Sequence, residues 1–153
     1  MKITDVRVTP VAMADPPLLN AAGLHAPYAL RTIVELVTDD GLTGVGEVPG
    51  GESAARALEA AREVVVDSEP FARRATAASL ETLAHRHDWN HATRMRVSSA
   101  VDVALHDIVG KATGRPVVDL LGGAVRERVD FAAYLSFKEE GAGGPLGFDT
   151  DPQ

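Results

Sequence analysis

The chain has 153 residues, 45% hydrophobic and 24% charged, with 15 Lys and Arg against 22 Asp and Glu for a formal charge of −7. That composition favours neither a disordered nor a fibrous class, and the charge argues against non-specific binding to DNA or to an anionic membrane. The absence of cysteine excludes disulfides, thiol catalysis and thiolate zinc sites.

The length suits one domain, or a domain plus part of another. A globule of this size buries roughly 68–70% of its unfolded surface, enough for a real core. No apolar run approaches the ~20 residues that span a bilayer. The N-terminus, Met1-Lys2-Ile3-Thr4-Asp5, lacks the apolar stretch of a signal peptide. A cytoplasmic chain is expected, with no nucleic-acid or membrane partner.

Residues 2–13 alternate β-branched Ile3, Val6, Val8 and Val11 with polar neighbours, which predicts a strand. Pro10 places it at an edge or a bulge. Residues 14–29 show no period and carry Pro16, Pro17, Asn20, Gly23 and Pro27, so they read as a long loop, a type often functional. Residues 32–38 form the clearest strand. Asp39-Asp40-Gly41 then leads into a further extended run over 42–48. Asp-Gly between apolar runs predicts a hairpin, because glycine accepts the positive φ of the turn. Together these segments predict a three-stranded antiparallel meander.

Helices follow. Ala54, Ala57, Leu58, Ala61, Val64 and Val65 recur at three-and-four spacing after Glu52 and Ser53, which suit a first turn. Glu69-Pro70 ends that pattern, and a shorter helix is expected over 77–87. The strongest helix runs over 93–112, where Val97, Ala100, Val101, Ala104, Leu105 and Ile108 form a broad stripe. Gly114 marks its end, with Pro116 just beyond. Residues 117–121 read as a helical turn closed by Gly122-Gly123. Residues 129–137 are apolar, aromatic and strand-like, without a partner inside the domain. From residue 138 onward the chain is rich in glycine, with Pro145 and Pro152, and no packed structure is expected. Strands segregated from helices point to α+β, a meander followed by a helical bundle.

Three runs carry a resemblance to a known family. They are Gly41-Leu42-Thr43-Gly44-Val45-Gly46-Glu47, then residues 100–111 (AVDVALHDIVGK), then Gly114-Arg115-Pro116 through Leu120-Leu121-Gly122-Gly123. With them the chain resembles the N-terminal capping domain of the enolase superfamily, of the mandelate racemase and muconate lactonizing enzyme type. Asn20 with His25, and Phe131-Ala132-Ala133-Tyr134-Leu135, resemble its glucarate dehydratase branch.

The resemblance implies a capping domain over 1–128, closing over a modified (β/α)8 barrel. Residues 129–153 would then hold the first barrel strand and a Gly-rich tail. A barrel takes ~250 residues, so the rest of it is absent from this sequence. The family is a set of Mg2+-dependent hydro-lyases acting on acid sugars. Removing a proton α to a carboxylate requires a divalent cation to stabilise the enediolate and a Lys or His base to take the proton. In the family the base includes a Lys-x-Lys motif on the second barrel strand. The only lysines here are Lys2, Lys111 and Lys138. No catalytic residue and no metal ligand is therefore expected in this chain, which should be inactive alone. Its partners would be the acid-sugar (aldarate) substrate of the full-length enzyme, and either the missing barrel or another copy of itself. The alternative reading is a stand-alone binding module derived from the capping domain.

What the resemblance assigns here is substrate binding. Asn20 and His25 would hydrogen-bond the distal carboxylate and hydroxyls; as residue types they also suit a plain loop. Thr93 would be a substrate-binding threonine, or the N-cap of the long helix. The family tends to carry a second Thr where Arg94 stands. Tyr134 would face the pocket from the first barrel strand, or else pack in a core. The family often has Phe where Ser136 stands.

Other clusters read as structural. In His85-Arg86-His87-Asp88-Trp89-Asn90-His91, only His87 and His91 share a helical face, and solvated histidines at a helix end are expected. Asp102 and His106, four apart, form a local pair. Gly44-Val45-Gly46 and the glycines after Glu140 lack a Walker pattern.

Overall fold

A computed structural model describes residues 1–14, 19–20, 23–24 and 28–133. Three long strands, β1 (Ile3–Ala14), β4 (Tyr28–Thr38) and β5 (Thr43–Pro49), form one sheet in the order β1-β4-β5. Two short strands, β2 (Leu19–Asn20) and β3 (Gly23–Leu24), pair with each other. Four helices follow: α1 (Glu52–Val65), α2 (Arg73–Arg86), α3 (His91–Thr113) and α4 (Val117–Leu120). This is the expected α+β meander followed by helices.

The β4–β5 hairpin is antiparallel, with Thr32 opposite Val48 and Val37 opposite Thr43. Gly41 takes φ +87° in its turn, the left-handed backbone for which glycine has no Cβ penalty. Alternation along β4 sends Thr32, Val34, Leu36 and Thr38 inward. Val34 and Leu36 meet Ala54, Leu58, Ala61 and Val65 of α1, Leu80 and Leu83 of α2, and the stripe Val97, Ala100, Val101, Ala104, Leu105 and Ile108 of α3 in one core. Each large side chain fully buried there contributes roughly 1.5–3 kcal/mol.

Small residues bring α3 down onto the sheet. A Cβ at Gly44 would run into the Ala104 carbonyl oxygen, and one at Gly46 into that of Ala100. The Gly-Val-Gly run is thus a backbone approach site, and the alternation leaves Val45 outward at 42% exposure.

Several boundaries differ from the sequence expectation. The segment expected to be one loop contains the β2–β3 pair, and β4 begins four residues early, at Tyr28. Two-residue strands are too short to show any period. The second helix starts at Arg73 rather than near Ala77: Ala72 caps it without a side chain, and its first turn is basic, so the usual start signals are missing. Of the strand expected over 129–137, residues 129–133 take no strand pairing, and the rest lies outside the described residues. Val129 and Phe131 are 68% and 95% exposed.

The chain divides into two compact units, one of residues 1–11 and 31–125, the other of residues 12–30 and 126–153. No helix among the described residues is long and apolar enough to cross a membrane.

Candidate functional site

Of the four expected substrate contacts, Thr93 is the one whose side-chain surroundings are described. It lies in the first turn of α3. Asn90, not Thr93, is the N-cap: its Oδ1 accepts the Thr93 backbone N–H at 2.9 Å. The capping alternative for Thr93 is thereby corrected. Asn is among the strongest cap formers because its short side chain reaches the free amides of the first turn. Asn20 pairs with Gly23 through the backbone in the β2–β3 ladder. His25 and Tyr134 lie outside the described residues.

Thr93 and Asn90 line a cleft of about 310 Å3 with Ser53 and Arg56 of α1 and with His87 and Trp89 of the α2–α3 corner. The corner is built tightly. Asp88 takes φ +51°, a conformation Asp tolerates better than most residues. The chain can therefore fold back: the Trp89 N–H reaches the Ala84 carbonyl at 3.0 Å, and the Asp88 N–H reaches that of His85 at 3.3 Å. Trp89 packs partly into the core, and its ring lies 5.6 Å from that of His87, tilted by 33°. Arg94, one residue past Thr93, pairs with Glu81 of α2.

The first turns of α1 and α3 both border this cleft. Helix N-termini carry partial positive charge and free N–H groups. The first turn of α3 has no acidic residue, and Glu52 of α1 is engaged by Arg56 at 3.2 Å. Hydroxyl, amide and guanidinium groups around an aromatic wall can hydrogen-bond a polyhydroxylated anion. They supply orientation, beside the His87 imidazole and the Asp88 carboxylate that also line the cleft.

A second polar cluster escaped the sequence reading. Asp102 and His106 pair as expected, Nδ1 to Oδ2 at 3.3 Å. Arg73 of α2 joins them, donating to the His106 ring and lying 3.6 Å from Asp102. Arginine can only donate and the Asp102 carbonyl, 2.8 Å from Nδ1, can only accept. A neutral ring in this setting carries its proton on Nδ1 and turns its Nε2 lone pair toward Arg73. No spacing rule in the sequence connects residues 73 and 106.

Mg2+ requires an octahedron of oxygens, largely from carboxylates and water. Among the described residues no group of three or more His, Cys, Asp or Glu side chains is gathered to hold a metal. His85 instead lies 3.3 Å from Glu81. The described residues do not fit the cation.

The carboxylates with clear shifts are structural. Arg62, and then Arg7, hold the Asp5 carboxyl below its usual range. The Lys2 backbone N–H does the same for Asp39.

The family model of the mandelate racemase / muconate lactonizing enzyme N-terminal domain matches residues 3–122. A probable glucarate dehydratase of Streptomyces coelicolor is 39% identical over 90% of the chain and 36% of its own length. Among solved structures, an enolase of Mycobacterium smegmatis complexed with tartrate superposes with a TM-score of 0.83 at 42% identity, over 98% of this chain and 38% of its own. An enolase of Pseudomonas fluorescens with bound magnesium, potassium and tartrate gives 0.82 at 39% identity, over 90% and 35%. The chain spans about a third of the length of the proteins it matches.

Proposed function

The chain belongs to the mandelate racemase / muconate lactonizing enzyme family through its N-terminal domain, and on that premise we propose that it is the substrate-specificity part of a glucarate dehydratase-like acid-sugar dehydratase. The observation that carries this reading is the 39% identity to a probable glucarate dehydratase over 90% of the chain. In this reading Mg2+ and the general base belong to a barrel that these 153 residues do not contain. The chain contributes hydrogen bonds to the part of the acid sugar remote from the breaking C–H bond. Thr93 acts from the cleft between α1 and α3, Asn20, His25 and Tyr134 are further substrate contacts in this reading, and the enzyme works in the cytoplasm.

Contacts to the remote end of a substrate form in both the ground and transition states. Losing one raises KM more than it lowers kcat. The test is a hybrid in which this chain replaces the N-terminal third of the Streptomyces coelicolor relative. With Mg2+ it should convert an aldarate such as D-glucarate to a keto-deoxy acid. A folded, Mg2+-binding hybrid that turns over no member of an aldarate and aldonate panel would overturn the proposal.

A further inference from the structure

We propose that Asn90 is a positioning residue for substrate recognition, setting KM by fixing the backbone that carries Thr93; this rests on the substrate-contact reading of Thr93 and deepens it. The N-terminal turn of a helix is its least constrained part, because its first four N–H groups lack intrahelical partners. Asn90 removes that freedom at one residue: its Oδ1 holds the Thr93 N–H at 2.9 Å. The turn is also tied from outside. The Arg94 N–H returns to the Asn90 carbonyl at 3.0 Å, and the Arg94 side chain reaches Glu81 of α2. Trp89, immediately before the cap, is anchored to Ala84. Asn90 is thus the joint between a corner locked onto α2 and the turn that brings Thr93 to the cleft.

The chemistry selects which replacements serve. The Thr93 N–H needs an acceptor on a short side chain at position 90. Asp and Ser supply one, and Ala does not. A hydrogen bond to a substrate hydroxyl tolerates little displacement, so a frayed first turn weakens it without touching the proton-transfer machinery. The predicted signature is a rise in KM with kcat preserved, rescued by a residue that restores the acceptor.

The experiment uses the active hybrid, with D-glucarate as substrate, and the variants Asn90→Ala, Asn90→Asp and Thr93→Val, plus the double variant Asn90→Ala/Thr93→Val. Asn90→Ala should raise KM by about tenfold, the loss of roughly one hydrogen bond's worth of binding, while kcat stays within about twofold of the parent. Asn90→Asp should restore KM, and in the Thr93→Val background Asn90→Ala should add nothing. If Thr93→Val raises KM and Asn90→Ala does not, the positioning role is wrong and the substrate-contact reading stands. If Thr93→Val leaves KM unchanged, that reading itself fails. Hydrogen exchange of the Thr93 amide in the 153-residue chain gives a readout independent of catalysis. Asn90→Ala should accelerate it by about tenfold, the loss of one hydrogen bond, and an unchanged rate would overturn the proposal whatever the hybrid does.

Discussion

Asp107 reaches across 62 residues of sequence to accept the Val45 N–H at 3.0 Å. Val45 sits on β5, whose far side has no neighbouring strand among the described residues. One turn further along α3, Lys111 donates to the Thr43 carbonyl at 2.6 Å and to Asp107 at 2.8 Å. An ion pair on the helix thus supplies the acceptor and the donor that a fourth strand would have offered. The opposite edge is treated in a similar way: Arg62 of α1 donates to the Val6 carbonyl, and residues 67–68 exchange backbone bonds with Ile3.

The clip at β5 makes a mutational prediction. Asp107→Ala should destabilise the chain by about 1–3 kcal/mol, the range for losing a hydrogen bond to a charged group. Asp107→Asn keeps an acceptor and should lose less. Urea midpoints compared at constant m-value, with hydrogen exchange at Val45, decide it. Equal midpoints for Asp107→Ala and the parent would show that water replaces the carboxylate without cost.

The approach of α3 to the sheet makes a second. Gly46→Ala places a methyl group against the Ala100 carbonyl, a backbone atom that moves only with the helix. Overpacking of this kind typically costs about 1–3 kcal/mol, and Gly46→Ala should lie at the upper end. Gly41→Ala is the control, since it meets open space and carries only the strain of its positive φ. A Gly46→Ala chain that unfolds at the parental temperature would refute the close approach.

The acid limb of stability supplies a third. Asp5 has its folded-state pKa depressed, chiefly by the Arg62 guanidinium and next by Arg7. A depressed carboxyl binds fewer protons folded than unfolded, so its contribution is present above the unfolded pKa of about 3.9 and disappears as pH falls through the folded value. Arg62→Met should therefore flatten the loss of stability below about pH 4 relative to the parent. Melting curves from pH 7 to 2.5 check this, and parallel curves for the two proteins would contradict it.

The fourth concerns residues beyond Arg128. Val129 and Phe131 are exposed, as are Val125 and Leu121. Apolar groups left in water favour association. Ending the chain at Arg128 should leave α3 and the sheet folded and raise the monomer fraction in sedimentation velocity at matched concentration. A shortened chain that is less soluble and less monomeric than the parent would mean that 129–153 belong to the fold.

The fifth concerns catalysis by these 153 residues in isolation. With only Lys2, Lys111 and Lys138 there is no Lys-x-Lys motif, and no metal cluster is gathered among the described residues. D-Glucarate with Mg2+ should give no keto-deoxy acid. Product above an enzyme-free blank would place a base and a metal site within the chain.

Much of this architecture was legible because local and tertiary preferences agree. The Asp-Gly turn, the stripes of α1 and α3 and the stop at Gly114 each follow from residues close together in sequence. Gly114 does take the left-handed conformation, and the Arg115 N–H then reaches the Gly110 carbonyl at 3.0 Å. What escaped depends on distant partners. The start of α2 carries no capping side chain. The Arg73–His106 contact spans 33 residues and two helices. The glycines of β5 have a visible purpose only once Ala100 and Ala104 are set against them. Asn90 is a different case: a favoured cap residue stood three positions before Thr93, and the cap signal was readable there.

The side-chain clip on β5 also bears on how the chain folds. A hairpin can zip up from its own turn in microseconds, but the outer edge of this one is completed only when residues 107 and 111 arrive, 62 and 68 positions away from the donor and the acceptor they meet. Closing a loop of that length carries an entropy cost that no local contact offsets. Until α3 docks, the Val45 N–H and the Thr43 carbonyl stand unpaired on a bare strand edge, and two nascent chains can meet there. The same ion pair that finishes the native sheet thereby sets the interval during which the growing polypeptide is open to mispairing, and helix docking, rather than hairpin formation, ends it.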